Sequence, residues 1–291
     1  MIAYAVRHRT TYTYGRDVAY SRLVAHLAPR PTERQRPEAF VLSISPAPVH
    51  AFVRSDFFGN RTDVFTIDAP HDVLDVVAES RVVVDRRQEI ALDAGPSWEF
   101  VRDAIESPRD GAALDAVQYA FDTPLTAANA LLVAYARESF ARERPLFACV
   151  RELTARIHRD FTYDGEATDT RTTVARAFDL RAGVCQDFAH VGVACTRAMG
   201  LAARYVSGYL LTQPPPGKER LVGADASHAW FAVWIPPFGW IDFDPTNDVL
   251  PNTEHITTAW GRDFADVSPI HGIVTGGSAH EIDVAVDVIP A

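Results

Sequence analysis

From Ile2 to about Arg87 apolar and polar residues alternate with a period of two. Tyr4, Val6 and His8 fall on one side, Ala3, Ala5 and Arg7 on the other, and the runs 39–44, 64–67 and 73–84 continue the pattern. Pro29-Arg30-Pro31, Pro46-Ala47-Pro48, Phe58-Gly59-Asn60 and Pro70-His71 break it. Short alternating runs divided by turn residues predict an antiparallel β-sandwich domain over residues 1–88. The period then lengthens. Trp98, Val101 and Ile105, next Val117, Ala120 and Phe121, and an Ala/Leu-rich stretch over 127–136 predict a helical connector, residues 89–144.

A second domain is expected over 145–291. A helix is predicted around 150–158, followed by a loop rich in Asp, Thr and Gly over 162–172. Val184, Phe188, Val191, Cys195 and Ala198 recur at helical spacing and form one apolar face. Residues 204–211, 228–235 and 239–243 read as strands, and 280–288 alternates as a half-exposed strand. The Pro/Gly loop over 213–227 is long for a compact domain, a length shared by active-site lids and surface insertions.

Composition narrows the function. The chain has 291 residues, 47% of them apolar, which is ample for a buried core. No run approaches the roughly 18 apolar residues that span a membrane, so no membrane partner is expected. Against 28 Lys and Arg stand 38 Asp and Glu, a formal charge of −10 that repels a phosphate backbone and disfavours nucleic acid. The first forty residues carry a local excess of positive charge, which reads as a solvated face. Cys149, Cys185 and Cys195 are odd in number and form no Cys-x-x-Cys pair, which points to a reducing compartment. The opening residues alternate like a strand and lack the sections of a secretory signal, so a cytoplasmic location is expected.

Cys185 falls in the first turn of the predicted helix, where unpaired N–H groups and the helix dipole favour an anion and hence a reactive thiolate. Below it lie Ala189, Gly192 and Thr196, small enough to let a sheet approach closely. Taken alone, a free cysteine is more often a small buried hydrophobe. The reading changes with the strand that opens on His228, turns at Pro236-Pro237-Phe238-Gly239 and returns as Trp240-Ile241-Asp242-Phe243-Asp244. Pairing Trp234 with Trp240 puts Asp244 one same-face step from His228, within reach of an Asp–imidazole hydrogen bond, and leaves Asp242 too far. Nucleophile, base and orienting carboxylate of these types meet the requirement for acyl transfer.

Gly183-Val184-Cys185-Gln186-Asp187-Phe188-Ala189-His190, Arg204-Tyr205-Val206-Ser207-Gly208-Tyr209, His228-Ala229-Trp230 and Asp244-Pro245-Thr246-Asn247 resemble the transglutaminase-like superfamily, its bacterial branch above all. The N-terminal stretch is similar to that branch's β domain through Tyr4, His8, Pro29-Arg30, Gln35, Asp56 and Gly59-Asn60. The end follows suit in Gly261-Arg262-Asp263, Asp266, Pro269 and Gly272. The resemblance implies an α+β chain with a papain-like core, Cys185 as nucleophile, His228 as base and Asp244 as orienting acid. It implies a peptide or protein amide as substrate and leaves hydrolysis and transfer to an amine both open; for a bacterial, cytoplasmic chain hydrolysis is the favoured expectation.

Asp187 reads as a dipole partner in a first helical turn. His190, about 140° around the helix from Cys185, is expected to pack in the core. Tyr163 is either an oxyanion-side donor or a core residue. Two other classes compete: a metal site drawn from Cys185, His190 and His228, which lacks paired ligand spacing, and a non-catalytic scaffold. Without a Gly-x-Gly-x-x-Gly or Walker sequence, no cofactor is expected.

Overall fold

Alternate burial makes the first element a strand. In β1 (Ile2–Ala25), Tyr4, Val6, His8 and Thr10 point inward while Arg7 and Arg9 stay in solvent. The computed structural model describes residues 1–212 and 226–291. β2 (Gln35–Ser45), β3 (His50–Ser55), β4 (Arg61–Ile67) and β5 (His71–Val84) complete an antiparallel run in the order β2-β5-β1-β4-β3. β1 is its centre, with β5 along its first half and β4 along its second.

The segment expected to connect the two domains forms α1 (Trp98–Glu106), α2 (Gly111–Val117) and α3 (Ala130–Arg137). Side-chain caps start each: Ser97, Asp110 and Asn129 accept from the N–H groups of Phe100, Ala113 and Leu132. The three helices share one apolar core with α4 (Leu146–Asp160), through Val101, Ala116 and Leu132 against Leu146, Val150 and Leu153. β6 (Thr162–Tyr163), α5 (Val174–Leu180), β7 (Ala182–Gly183) and α6 (Cys185–Arg197) follow.

β8 (Ala203–Leu210), β9 (Ala226–Ile235), β10 (Gly239–Phe243) and β11 (His255–Gly261) form an antiparallel sheet in the order β10-β9-β8-β11. α6 packs on β8 and β9, and the small residues below Cys185 permit it. A Cβ on Gly192 would stand 2.5 Å from the Phe231 ring. Ala229, Phe231 and Val233 face this helix, whereas Trp230 and Ala232 cluster on the other face with Val206, Trp240 and Trp260. After α7 (Phe264–Val267), β12 (Ile270–Gly276) and β13 (His280–Pro290) return to the N-terminal sheet and pair with β1. The chain is thus α+β, an N-terminal antiparallel sheet followed by a helix-and-sheet core. Of the loop expected over 213–227, residues 213–225 lie outside the described residues. Among the described residues no helix is long and apolar enough to cross a membrane.

Candidate active site

The start of α6 is fixed by its own side chains. Asp187 accepts from the Val184 N–H at 2.8 Å and from the Thr168 hydroxyl at 2.7 Å. Burial pushes this carboxyl up from the usual range, against those hydrogen bonds. Gly183 is needed two residues before the cysteine, because a Cβ there would fall 2.4 Å from Asp187 Oδ2. Cys185 is thereby presented in the first turn, partly exposed, while Cys149 and Cys195 are buried.

Tyr163 is brought to the same place by backbone pairing. β6 runs parallel to β7 and sets Tyr163 against Gly183. Its side chain is 60% exposed, so it is not a core residue, and its ring lies 6.4 Å from Phe188. Partial burial and the neighbouring Cys185 both push its phenol up.

His228 sits near the start of β9 and is buried. Its Nε2 lies 2.8 Å from Asp244 Oδ2, and the Cys185 thiol is near enough to the ring to help raise its pKa. The hairpin register is the one expected: Trp240 pairs with Trp234 and Phe243 with Phe231, and Asp244 comes next. Burial disfavours the charged imidazole, yet the hydrogen bond to Asp244 and the nearby Cys185 outweigh it. Burial also opposes ionisation of Asp244, but hydrogen bonds from His228 and His255 hold it well below the usual carboxylate range. Asp242 is elsewhere, accepting from the Trp230 indole at 3.3 Å.

Two contributors escaped the sequence. His255, at the start of β11, reaches Asp244 Oδ2 from Nε2 at 3.0 Å. Asn247 donates from Nδ2 to the same oxygen at 2.7 Å. The Asp-Pro-Thr-Asn run signals Asn247, since an Asp turns the following N–H groups onto its own carboxylate; Thr246 and Asn247 do this at 2.9 and 3.2 Å. Nothing in the local pattern signals His255.

His190 takes no part. Its Nε2 accepts from the Phe264 N–H at 3.1 Å and its ring packs on Tyr205. Of the ligand types weighed for a metal, the set whose atoms lie within 4.8 Å of one another among the described residues is therefore His228, Asp244 and His255. Both imidazoles already address one carboxylate oxygen at hydrogen-bond distance.

Residues 4–83 match the bacterial transglutaminase-like N-terminal region, and residues 133–245, which include Cys185, His228 and Asp244, match the transglutaminase-like superfamily. An uncharacterized Mycobacterium tuberculosis protein is 41% identical over 99% of this chain and 92% of its own length. A Pseudomonas aeruginosa protein-glutamine gamma-glutamyltransferase is 29% identical over 56% of this chain, which spans 22% of that protein. The crystal structure of a Cytophaga hutchinsonii candidate cysteine protease superposes with a TM-score of 0.74, covering 99% of this chain and 93% of that one, at 22% identity. That last likeness is one of fold. Two successive family regions and near full-length relatives place the chain in the bacterial branch of the transglutaminase-like superfamily.

Proposed function

We propose that the chain is a cysteine hydrolase that cleaves a peptide or protein amide through a thioester on Cys185. One observation carries this reading: His228 gives Nε2 to buried Asp244, and Cys185 stands near the same ring, partly exposed at the head of a helix. His228 takes the thiol proton, and the sulfur attacks the carbonyl carbon while the carbonyl electron pair moves onto oxygen. The Cys185 N–H, one of the first-turn groups without an intrahelical partner, receives that oxyanion. Tyr163, set against Gly183 just before Cys185, offers its hydroxyl as a second donor. Collapse breaks the C–N bond, and the leaving amine takes the proton from His228. Water, losing a proton to His228, attacks the thioester; the acid departs and the proton returns to sulfur. Asp244 orients the ring and balances the imidazolium charge.

Water is the favoured acceptor because Cys185 is partly exposed and Tyr163 beside it is open to solvent. A second reading, transfer to an amine, draws on the Pseudomonas aeruginosa gamma-glutamyltransferase relative. A nucleophilic thiol also needs protection from oxidation, which together with three free cysteines supports a reducing, cytoplasmic setting. Intact-mass analysis after mixing with a peptide thioester tests the proposal. The expected result is one acyl group on Cys185, absent from C185A, that water removes faster than millimolar monodansylcadaverine captures. An acyl group that the amine captures first supports transfer. No adduct, or an equal adduct on C185A, overturns the enzymatic reading and favours a scaffold.

A further inference from the structure

A cavity of about 560 Å³ lies where the N-terminal sheet meets the core sheet. Arg204 forms part of its wall. It alternates along β8 with Ala203 and Tyr205, which pack in the core with α6, so its side chain leaves on the opposite face. There the guanidinium is held between two indoles, 3.7 Å from the centre of Trp260 and 4.3 Å from that of Trp240. Arg30 covers the other face of Trp260 at 3.5 Å. Stacking of this kind occupies the faces of a guanidinium and leaves only its edge for hydrogen bonds.

That edge has no hydrogen-bond partner among the described residues. Asp242, the carboxylate on the cavity floor, is taken by Arg87 at 3.3 Å, Arg34 at 3.6 Å and the Trp230 indole at 3.3 Å. Arg204 is 7% exposed, makes no side-chain hydrogen bond among the described residues, and has its Nε sealed off unpaired. The other carboxylates on the wall, Glu33 and Asp115, are exposed. Of twelve buried side-chain polar atoms without a partner among the described residues, four belong to residues lining this one cavity: Arg87, Gln118, Arg204 and His255. Burial pulls the Arg204 pKa down, to about 10, so it remains charged at neutral pH. A buried cation without a hydrogen-bonded counter-ion is costly; Asp242 attracts this one without bonding it, and it borders an open volume large enough for a small molecule.

We propose that this cavity binds an organic carboxylate with an apolar body, the carboxylate pairing with the free edge of Arg204. A planar carboxylate lies in the plane of the guanidinium and fits between the indoles, whereas a tetrahedral oxyanion is thicker than that slot. Phe57, Phe58 and Phe238 supply apolar surface for the body. Cys185 does not line the cavity, although His255, which bonds Asp244, does.

Tryptophan fluorescence of the full chain titrated with cyclohexanecarboxylate tests this, since Trp240 and Trp260 flank the binding edge. The expected result is a saturable change, at least about tenfold weaker for cyclohexanecarboxamide and for inorganic phosphate, as loss of a charge-assisted pair predicts. R204K should weaken binding about tenfold, because an ammonium lacks the planar fork. Q118E, which adds a negative charge on the wall without disturbing the stack, should weaken it as well and serves if R204K does not fold. Protein alkylated at Cys185 should bind as tightly as untreated protein. Absence of a saturable response, equal binding of acid and amide, phosphate binding as tightly as the acid, Q118E binding unchanged, or loss of binding on alkylation overturns the proposal.

Discussion

His228 and His255 come from different strands and aim their Nε2 atoms at one oxygen, Asp244 Oδ2, at 2.8 and 3.0 Å, with their rings 5.9 Å apart. Asn247 Nδ2 reaches the same oxygen, and the Thr246 and Asn247 N–H groups take Oδ1. A carboxylate with no exposure to solvent is costly unless its lone pairs are filled. Here five donors fill them, and the charge that orients His228 is fixed in place. Under the proposed mechanism His255 is therefore a positioning residue that acts through Asp244.

Replacing His255 by alanine removes one donor from a charged acceptor, a loss of about 1.5–3 kcal/mol. Acylation of Cys185 should slow by about ten- to a hundredfold, with the loss in kcat rather than KM. The acid limb of the pH profile should move to higher pH, since a carboxylate that loses a donor protonates more readily. H255Q, whose amide N–H can reach the same oxygen, should recover most of the rate. A lowered Tm with an unmoved acid limb and no recovery in H255Q would mean that His255 only fills space.

Asp244 and His228 shift in opposite directions, and the signs define a pH window. An acid whose folded pKa is depressed adds stability above its unfolded value, about 3.9, and loses it as pH falls. A base whose folded pKa is raised, here to about 10 against the pull of burial, adds stability below its unfolded value and loses it as pH climbs through the folded one. The pairing stabilises most between about pH 4 and 6.5. The Tm gap between the native chain and D244N, measured from pH 3 to 10, should be widest in that window and narrow on both sides. A gap that keeps widening toward pH 10 contradicts the pairing.

How much of this could be read in advance depends on the distance over which the information is carried. The β9–β10 hairpin turns within a few residues, so a pairing guessed at Trp234 and Trp240 carries His228 and Asp244 together without any knowledge of the rest. Cys185 was legible for the same reason, falling in the first turn of a helix that local periodicity predicts. His255 was not, because β11 follows β10 in the chain yet lies at the far edge of the sheet beside β8. Sheet order of that kind leaves no trace in local periodicity. Arg204 is similar: its strand is plain in the pattern, while the indole that faces it from β11 is set by the same long-range order. The helices over 98–137 were visible by their period, but their packing into the core with α4 and α6 was not.

The three thiols should differ sharply toward iodoacetamide. Cys149 and Cys195 have no solvent exposure, and burial pushes both up to about 12. At neutral pH that leaves roughly a thousandfold less thiolate than in a free cysteine. Cys185, partly exposed at a helix start and near the His228 ring, should be modified first and alone in folded protein. Peptide mapping after brief treatment at pH 7 checks this. Faster modification of Cys149 or Cys195 would remove Cys185 from its role.

Gln35 acts toward β11 as a neighbouring strand would. Its Nε2 donates to the carbonyls of Thr257 and Arg30, both at 2.7 Å, and its Oε1 accepts from the Thr257 N–H at 2.9 Å. Asn60 does the same at Trp260, accepting from its N–H at 3.0 Å and donating to its carbonyl at 2.8 Å. β11 is an edge strand of the core sheet, so these two amides from the N-terminal region satisfy backbone groups that β8 does not reach and hold the two sheets in register. Alanine at Gln35 strips the Thr257 N–H of its partner, at a cost of about 1–3 kcal/mol for a group left unpaired, while the Thr257 carbonyl keeps the Arg30 N–H at 2.9 Å. For a chain of this size that lowers Tm by roughly 2–8 °C. The local effect is the sharper test. Hydrogen exchange at the Thr257 amide should accelerate in Q35A, and at the Trp260 amide in N60A, while amides on the β8–β9 ladder stay slow. Because His255 begins the same strand, Q35A should also lower the acylation rate of Cys185 without changing which thiol is alkylated. If the Thr257 amide exchanges as slowly in Q35A as in the native chain, β11 is held by β8 alone and the carboxamide clamp does not couple the N-terminal sheet to the site.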